Sequence, residues 1–195
     1  MKFNKSLAIA TVMASIFPTM ANTLDPNNPS GTVVDRFADI EVLRYVVPGF
    51  QDLSLNQKKL IYFLTEAALQ GRDIIWDQNG KYNLPLRQML ETVYTNYDGD
   101  RDSKDFKAFE TYLKQVEFGN GAYHHYSMDK FTPGFSSDWL GEQLRVLADK
   151  GIYKRSPEEL RPILSLIFDP TFMPKRVNQA AGEDLILTSA CNLYD

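Results

Sequence analysis

One cysteine and two histidines are the whole stock of thiolate and imidazole metal ligands in this chain of 195 residues. Cys191 has no second cysteine to pair with, so an internal disulfide is excluded, and the fold depends on its core. A lone thiol likewise excludes a thiolate metal cluster. His124 and His125 are adjacent, and neighbouring side chains point in different directions, so a single metal would rarely take both. The helical His-Glu-x-x-His signature of a zinc peptidase is missing. A basic stripe is missing too: the formal net charge is −4 with both signs interspersed, which argues against a nucleic-acid partner. No serine sits in a nucleophile-elbow pattern, and Gly119-Asn120-Gly121 lacks the spacing of a phosphate loop. Beyond the first residues, no apolar run approaches the roughly 20 residues needed to span a bilayer. Internal repeats and low-complexity tracts are also absent.

What is present is a globular composition, 44% apolar and 24% charged, with ten Tyr and twelve Phe to fill a core or line a cleft. Lys2 and Lys5, the apolar run Leu7 to Phe17 and the small residues near Thr19-Met20-Ala21 have the anatomy of a secretory signal peptide over 1–21. Its removal would leave a more acidic chain with no membrane segment, placed in the periplasm or secreted. Residues 22–35, rich in Asn, Pro, Ser and Gly, read as a flexible leader, with order expected near Phe37.

Helical spacing then dominates. Ser54 with Gln57 fits a capping box, followed by a stripe of Leu60, Phe63, Leu64, Ala67, Ala68 and Gly71 running on through Ile75 to a turn at Asn79-Gly80. Further helices are expected from Pro85 to Tyr94, on Phe106, Phe109, Leu113 and Val116, and on Trp139, Leu140, Leu144 and Leu147 up to Gly151. Ser156-Pro157-Glu158-Glu159 is a strong start for a last helix, which Asp169-Pro170 ends. Residues 184–190 (DLILTSA) read as a short buried strand, for which Glu41 to Val47 is a weak candidate partner. The expected class is α+β, predominantly helical, with that strand closing the chain. Its lack of a clear sheet partner hints that further sequence belongs to the fold.

Two polar segments invite chemistry. Asp98, Asp100 and Asp102 match the acidic positions that open an EF-hand loop, but Ser103 and Phe109 stand where Gly and Glu are needed. A solvated turn is expected there, with Asp102 or Ser103 capping the next helix. Residues 119–135 (GNGAYHHYSMDKFTPGF) break the helical pattern and combine hydrogen-bonding groups with flat apolar faces. Both peptide recognition and simple aromatic packing suit that mixture.

At this loop the chain resembles dipeptidyl peptidase III. Gly121-x-Tyr123-x-x-Tyr126-x-x-x-Lys130-Phe131-x-Pro133 is similar to the family's glycine–tyrosine–aromatic–Lys-Phe-x-Pro stretch. Close bacterial members carry Asn-Gly-x-His-His-His-Tyr where this chain has Asn120-Gly121-Ala122-Tyr123-His124-His125-Tyr126. VDRFADIEVLRY (34–45), GRDIIWDQNGKYNL (71–84), DFKAFETYLK (105–114) and KRVNQAAGEDLILTSACN (175–192) also look like the bacterial branch. The resemblance implies a two-lobed zinc enzyme that releases dipeptides from the amino-terminus of short peptides. It implies that residues 36–195 are its amino-terminal portion, truncated before the carboxy-terminal lobe. The family's His-Glu-x-x-Gly-His helix is absent. Glu158-Glu159-Leu160-Arg161 only imitates its second motif, since Pro162 and Ile163 follow. The resemblance therefore leaves no catalytic residue and no zinc ligand here. It places Tyr126, with His125 and Ser127 beside it, on the substrate cleft. The alternative is a non-catalytic peptide-binding or interaction protein derived from the same lobe.

Overall fold

The computed structural model describes residues 32–45, 47–125 and 127–175. The expected signal peptide, the closing strand, Cys191 and Tyr126 lie outside them. The chain divides after Gln57 into two compact units. The fold is mixed α+β and mostly helical, with one small sheet among the described residues.

In the first unit, β1 (Val33–Phe37) pairs antiparallel with β2 (Ile40–Leu43), with Arg36 opposite Glu41 and Phe37 opposite Ile40. The Arg36 guanidinium donates to Glu41 at 2.6 Å across the pair. Order thus begins before Phe37, and residues 33–35 of the expected leader belong to a strand. The turn runs through Ala38 at φ 49°, without the glycine that usually marks such a turn.

Among the described residues six α-helices follow: α1 (Leu55–Gln70), α2 (Arg72–Asn79), α3 (Asn83–Asn96), α4 (Lys104–Gly119), α5 (Ser137–Asp149) and α6 (Pro157–Phe168). Their starts obey local chemistry. Ser54 and Gln57 exchange hydrogen bonds before α1, Ser103 accepts from the Phe106 amide before α4, and Ser136 accepts from Trp139 before α5. Ser156 and Glu159 form the full reciprocal box before α6. Ser156→Ala is expected to cost about 1 kcal/mol of stability, read from a urea unfolding curve. The long stripe expected to run from Leu60 through Ile75 is broken at Gly71, where α1 gives way to α2.

The core of the second unit is built by α3 to α6 with Trp76 of α2. Phe106, Phe109, Leu113 and Val116 form the buried face of α4, as their spacing predicts. Phe109 meets Phe135 edge-on at 5.5 Å and Trp139 at 5.3 Å. Each fully buried large side chain contributes roughly 1.5–3 kcal/mol over leaving it in water. By contrast, α1 has no buried residue, and its stripe of Leu60, Phe63 and Leu64 is exposed. Among the described residues no helix is long and apolar enough to cross a membrane.

Candidate functional site

The irregular segment after α4 forms a closed, stapled loop. Asn120 ends the helix in the left-handed conformation at φ 51°, and Gly121 follows at φ 153°. A side chain at Gly121 would overlap the Asn83 amide, so this position requires glycine. Asn83, buried at the start of α3, reaches the backbone of Asn120 and Ala122. Tyr123 and Lys130 then pair as an antiparallel bridge, flanked by bonds from the Phe131 amide to Ala122 O at 2.9 Å and from the His124 amide to Asp129 O at 2.8 Å.

Three long side chains fasten this loop to the segment after α6. The Lys130 ammonium donates to the carbonyls of Asp169 and Phe172, and the Tyr123 hydroxyl donates to Met173 O. In return, Lys175 donates to His124 O at 2.9 Å and Ser127 O at 3.1 Å. Burial pushes both lysines below the usual ammonium range, Lys130 against the opposing pull of Asp169. Lys130, part of the family-like motif, thus acts as a strut between two backbone segments.

His125 and Ser127 lie on this loop, both half-buried; Tyr126 between them is outside the described residues. The His125 ring stands edge-on to Phe118 at 4.8 Å and leans on His124 at 4.4 Å. Ser127 donates its hydroxyl to Asp129 at 2.7 Å, and its amide donates to His124 Nδ1 at 3.2 Å. His124 Nδ1 is the acceptor in that contact. His124 receives the Ser127 amide rather than its hydroxyl, so the two do not form an activated serine nucleophile. Several of the loop's carbonyls are taken up by Lys175 and by the bridge, while the half-buried His124 and His125 rings remain at its surface.

The acidic turn carries no ion site. Asp98 pairs with Lys150 at 2.7 Å, Asp102 pairs with Lys107 at 2.9 Å, and Asp100 accepts the Asp102 amide. Among the described residues no group of three or more His, Cys, Asp or Glu could hold a metal ion. The described residues therefore provide no donor set that fits zinc.

A second polar cluster joins α2, α3 and α4. Arg87, 4% exposed, donates to Asp73 at 2.9 Å and Glu91 at 3.0 Å, lies 4.0 Å from Glu117, and stacks its guanidinium on Trp76 at 5.3 Å. Burial works against its charge, but the surrounding carboxylates outweigh burial and raise it further above its ordinary value. Burial, then the charge of Glu91, pushes the Glu117 carboxyl up to about 7 despite Arg87 and Arg72. The i,i+4 spacing of Arg87 and Glu91 is visible in sequence, whereas the approach of Glu117 comes only from helix packing. No protein-family model matches the chain, and no curated protein matches it.

Proposed function

We propose that this chain forms part of the substrate-cleft wall of a dipeptidyl peptidase III-like zinc peptidase exported to the periplasm or medium, and that it holds short peptides without cutting them. The stapled loop carries this reading. Its glycine, tyrosine and lysine of the family-like motif are the residues that fix its shape. His125 and Ser127, the sequence neighbours of Tyr126, belong to that loop. Half-buried rings fixed in this way suit an extended peptide, because little side-chain entropy is lost on binding.

Amide spectra of the full chain, titrated with tetra-alanine to about 10 mM, test the recognition role. Shifts confined to residues 121–131, and weaker with N-acetylated tetra-alanine, are expected. No shift in that segment would sink the proposal. Added zinc is expected to produce no Ala-Ala, and dipeptide release would overturn the non-catalytic part. DNA beyond codon 195 separates the two origins. An open frame encoding His-Glu-x-x-Gly-His supports the peptidase, and a stop without it leaves a stand-alone peptide-binding protein.

A further inference from the structure

We propose that two copies of this chain pair through α1, antiparallel about a two-fold axis at the middle of the helix. Leu60, Phe63, Leu64 and Ala67 recur at i, i+3, i+4 and i+7, so they share one face of α1. The three large ones are each more than half exposed, and no residue of the helix is buried. The core cluster of the second unit takes nothing from α1. A helix with such a stripe ordinarily turns it toward a neighbour.

The charges at the edge of the stripe fit a second copy. Lys59 and Glu66 are seven residues apart, two helical turns, and so lie along the same edge. Lys59 stands four residues from the first residue of α1, and Glu66 four residues from the last. Among the described residues neither has an ion-pair partner. Turning a second α1 end for end brings its Glu66 to Lys59 and its Lys59 to Glu66. One edge is thus complementary to itself, as a two-fold interface requires. The same operation sets Leu60 near Ala67 of the second copy, with Phe63 and Leu64 at the axis. A parallel pair would instead set Lys59 against Lys59 and Glu66 against Glu66.

The available area sets the strength. Leu60, Phe63 and Leu64 offer roughly 100 Å² of apolar surface each, and the alanines and edge stems bring this to about 500 Å² per copy. Two copies then bury about 1,000 Å², the lower end of a specific interface. The dimer is accordingly weak, with a Kd on the order of 100 µM, and the chain is monomeric at low micromolar concentration. The pairing uses no residue of the stapled loop and stands whether or not that loop holds peptide.

Sedimentation velocity of the full chain from about 2 to 500 µM tests the proposal. A single reversible step from monomer to dimer is expected. Lys59→Glu and Glu66→Lys, at positions that are not buried, are each expected to weaken it at least about tenfold by setting like charges together. Mixed in equal amounts, the two single variants are expected to pair with one another. The double variant Lys59→Glu/Glu66→Lys is expected to regain the parent's affinity, which general stickiness of an apolar face would not produce. A chain that stays monomeric throughout overturns the proposal, and slow amide exchange along α1 in that monomer would assign the stripe to another segment of the same chain. Dimers indifferent to both charge reversals, or assemblies that grow past the dimer, overturn it equally.

Discussion

Phe109→Ala is expected to lower the free energy of unfolding by about 3–5 kcal/mol, a large share of the 5–15 kcal/mol that holds a typical domain. The ring is fully buried and lies between Phe106 on its own helix, Phe135 of the loop and Trp139 of α5. Its removal opens a cavity that three rigid aromatic neighbours cannot collapse to fill. Edge-on and tilted ring contacts, each worth about 0.5–1.5 kcal/mol beyond area burial, are lost with it. Phe63→Ala provides the contrast. Phe63 is 65% exposed on α1, and its loss is expected to change stability by no more than about 0.5 kcal/mol. Urea unfolding of both variants decides the matter: equal effects would mean that α1 is as deeply packed as α4.

That pair also marks how far the sequence could be read. Phe63 with Leu60 and Leu64, and Phe109 with Phe106 and Leu113, have the same helical spacing. Periodicity shows which residues share a face, but the neighbour that covers it lies far away in sequence. Helix starts were legible because a serine and the residue three positions on settle them within one turn, as at Ser54, Ser103 and Ser156. The β1–β2 hairpin was only half visible, because Ala38 and Asp39 carry no glycine turn signal. In the loop, the need for Gly121 follows from its neighbour Asn83, which no local pattern announces. The lysine struts end on backbone carbonyls, and a carbonyl leaves no mark in composition. His125 and Ser127 stand out in sequence only as the neighbours of Tyr126, whereas the Arg87 cluster needs three helices brought together.

Arg87→Met is expected to cost about 3–5 kcal/mol at pH 8 and distinctly less at pH 5. Methionine keeps much of the side-chain volume and removes the guanidinium that Asp73, Glu91, Glu117 and Trp76 surround. At pH 8 the variant leaves the Glu91 and Glu117 carboxylates without the guanidinium that both approach, with Arg72 as the nearby cation. At pH 5 Glu117 keeps its proton, so the loss is smaller. The sign follows from linkage. Glu117 in the folded chain binds its proton more tightly than its ordinary value of 4.5 allows, holding it to about 7. Stability from this group is therefore fully present below pH 4.5 and falls as pH rises through about 7. In Arg87→Met the downward pull of the guanidinium is gone, so the fall should extend to higher pH than in the parent. Glu117→Gln added to Arg87→Met should remove most of that slope, and the two changes should be non-additive because they share one contact. Urea midpoints at pH 5 and pH 8 for the parent, both single variants and the double variant measure all of this. An Arg87→Met penalty of the same size at both pH values would assign Arg87 to packing on Trp76 rather than to holding charge.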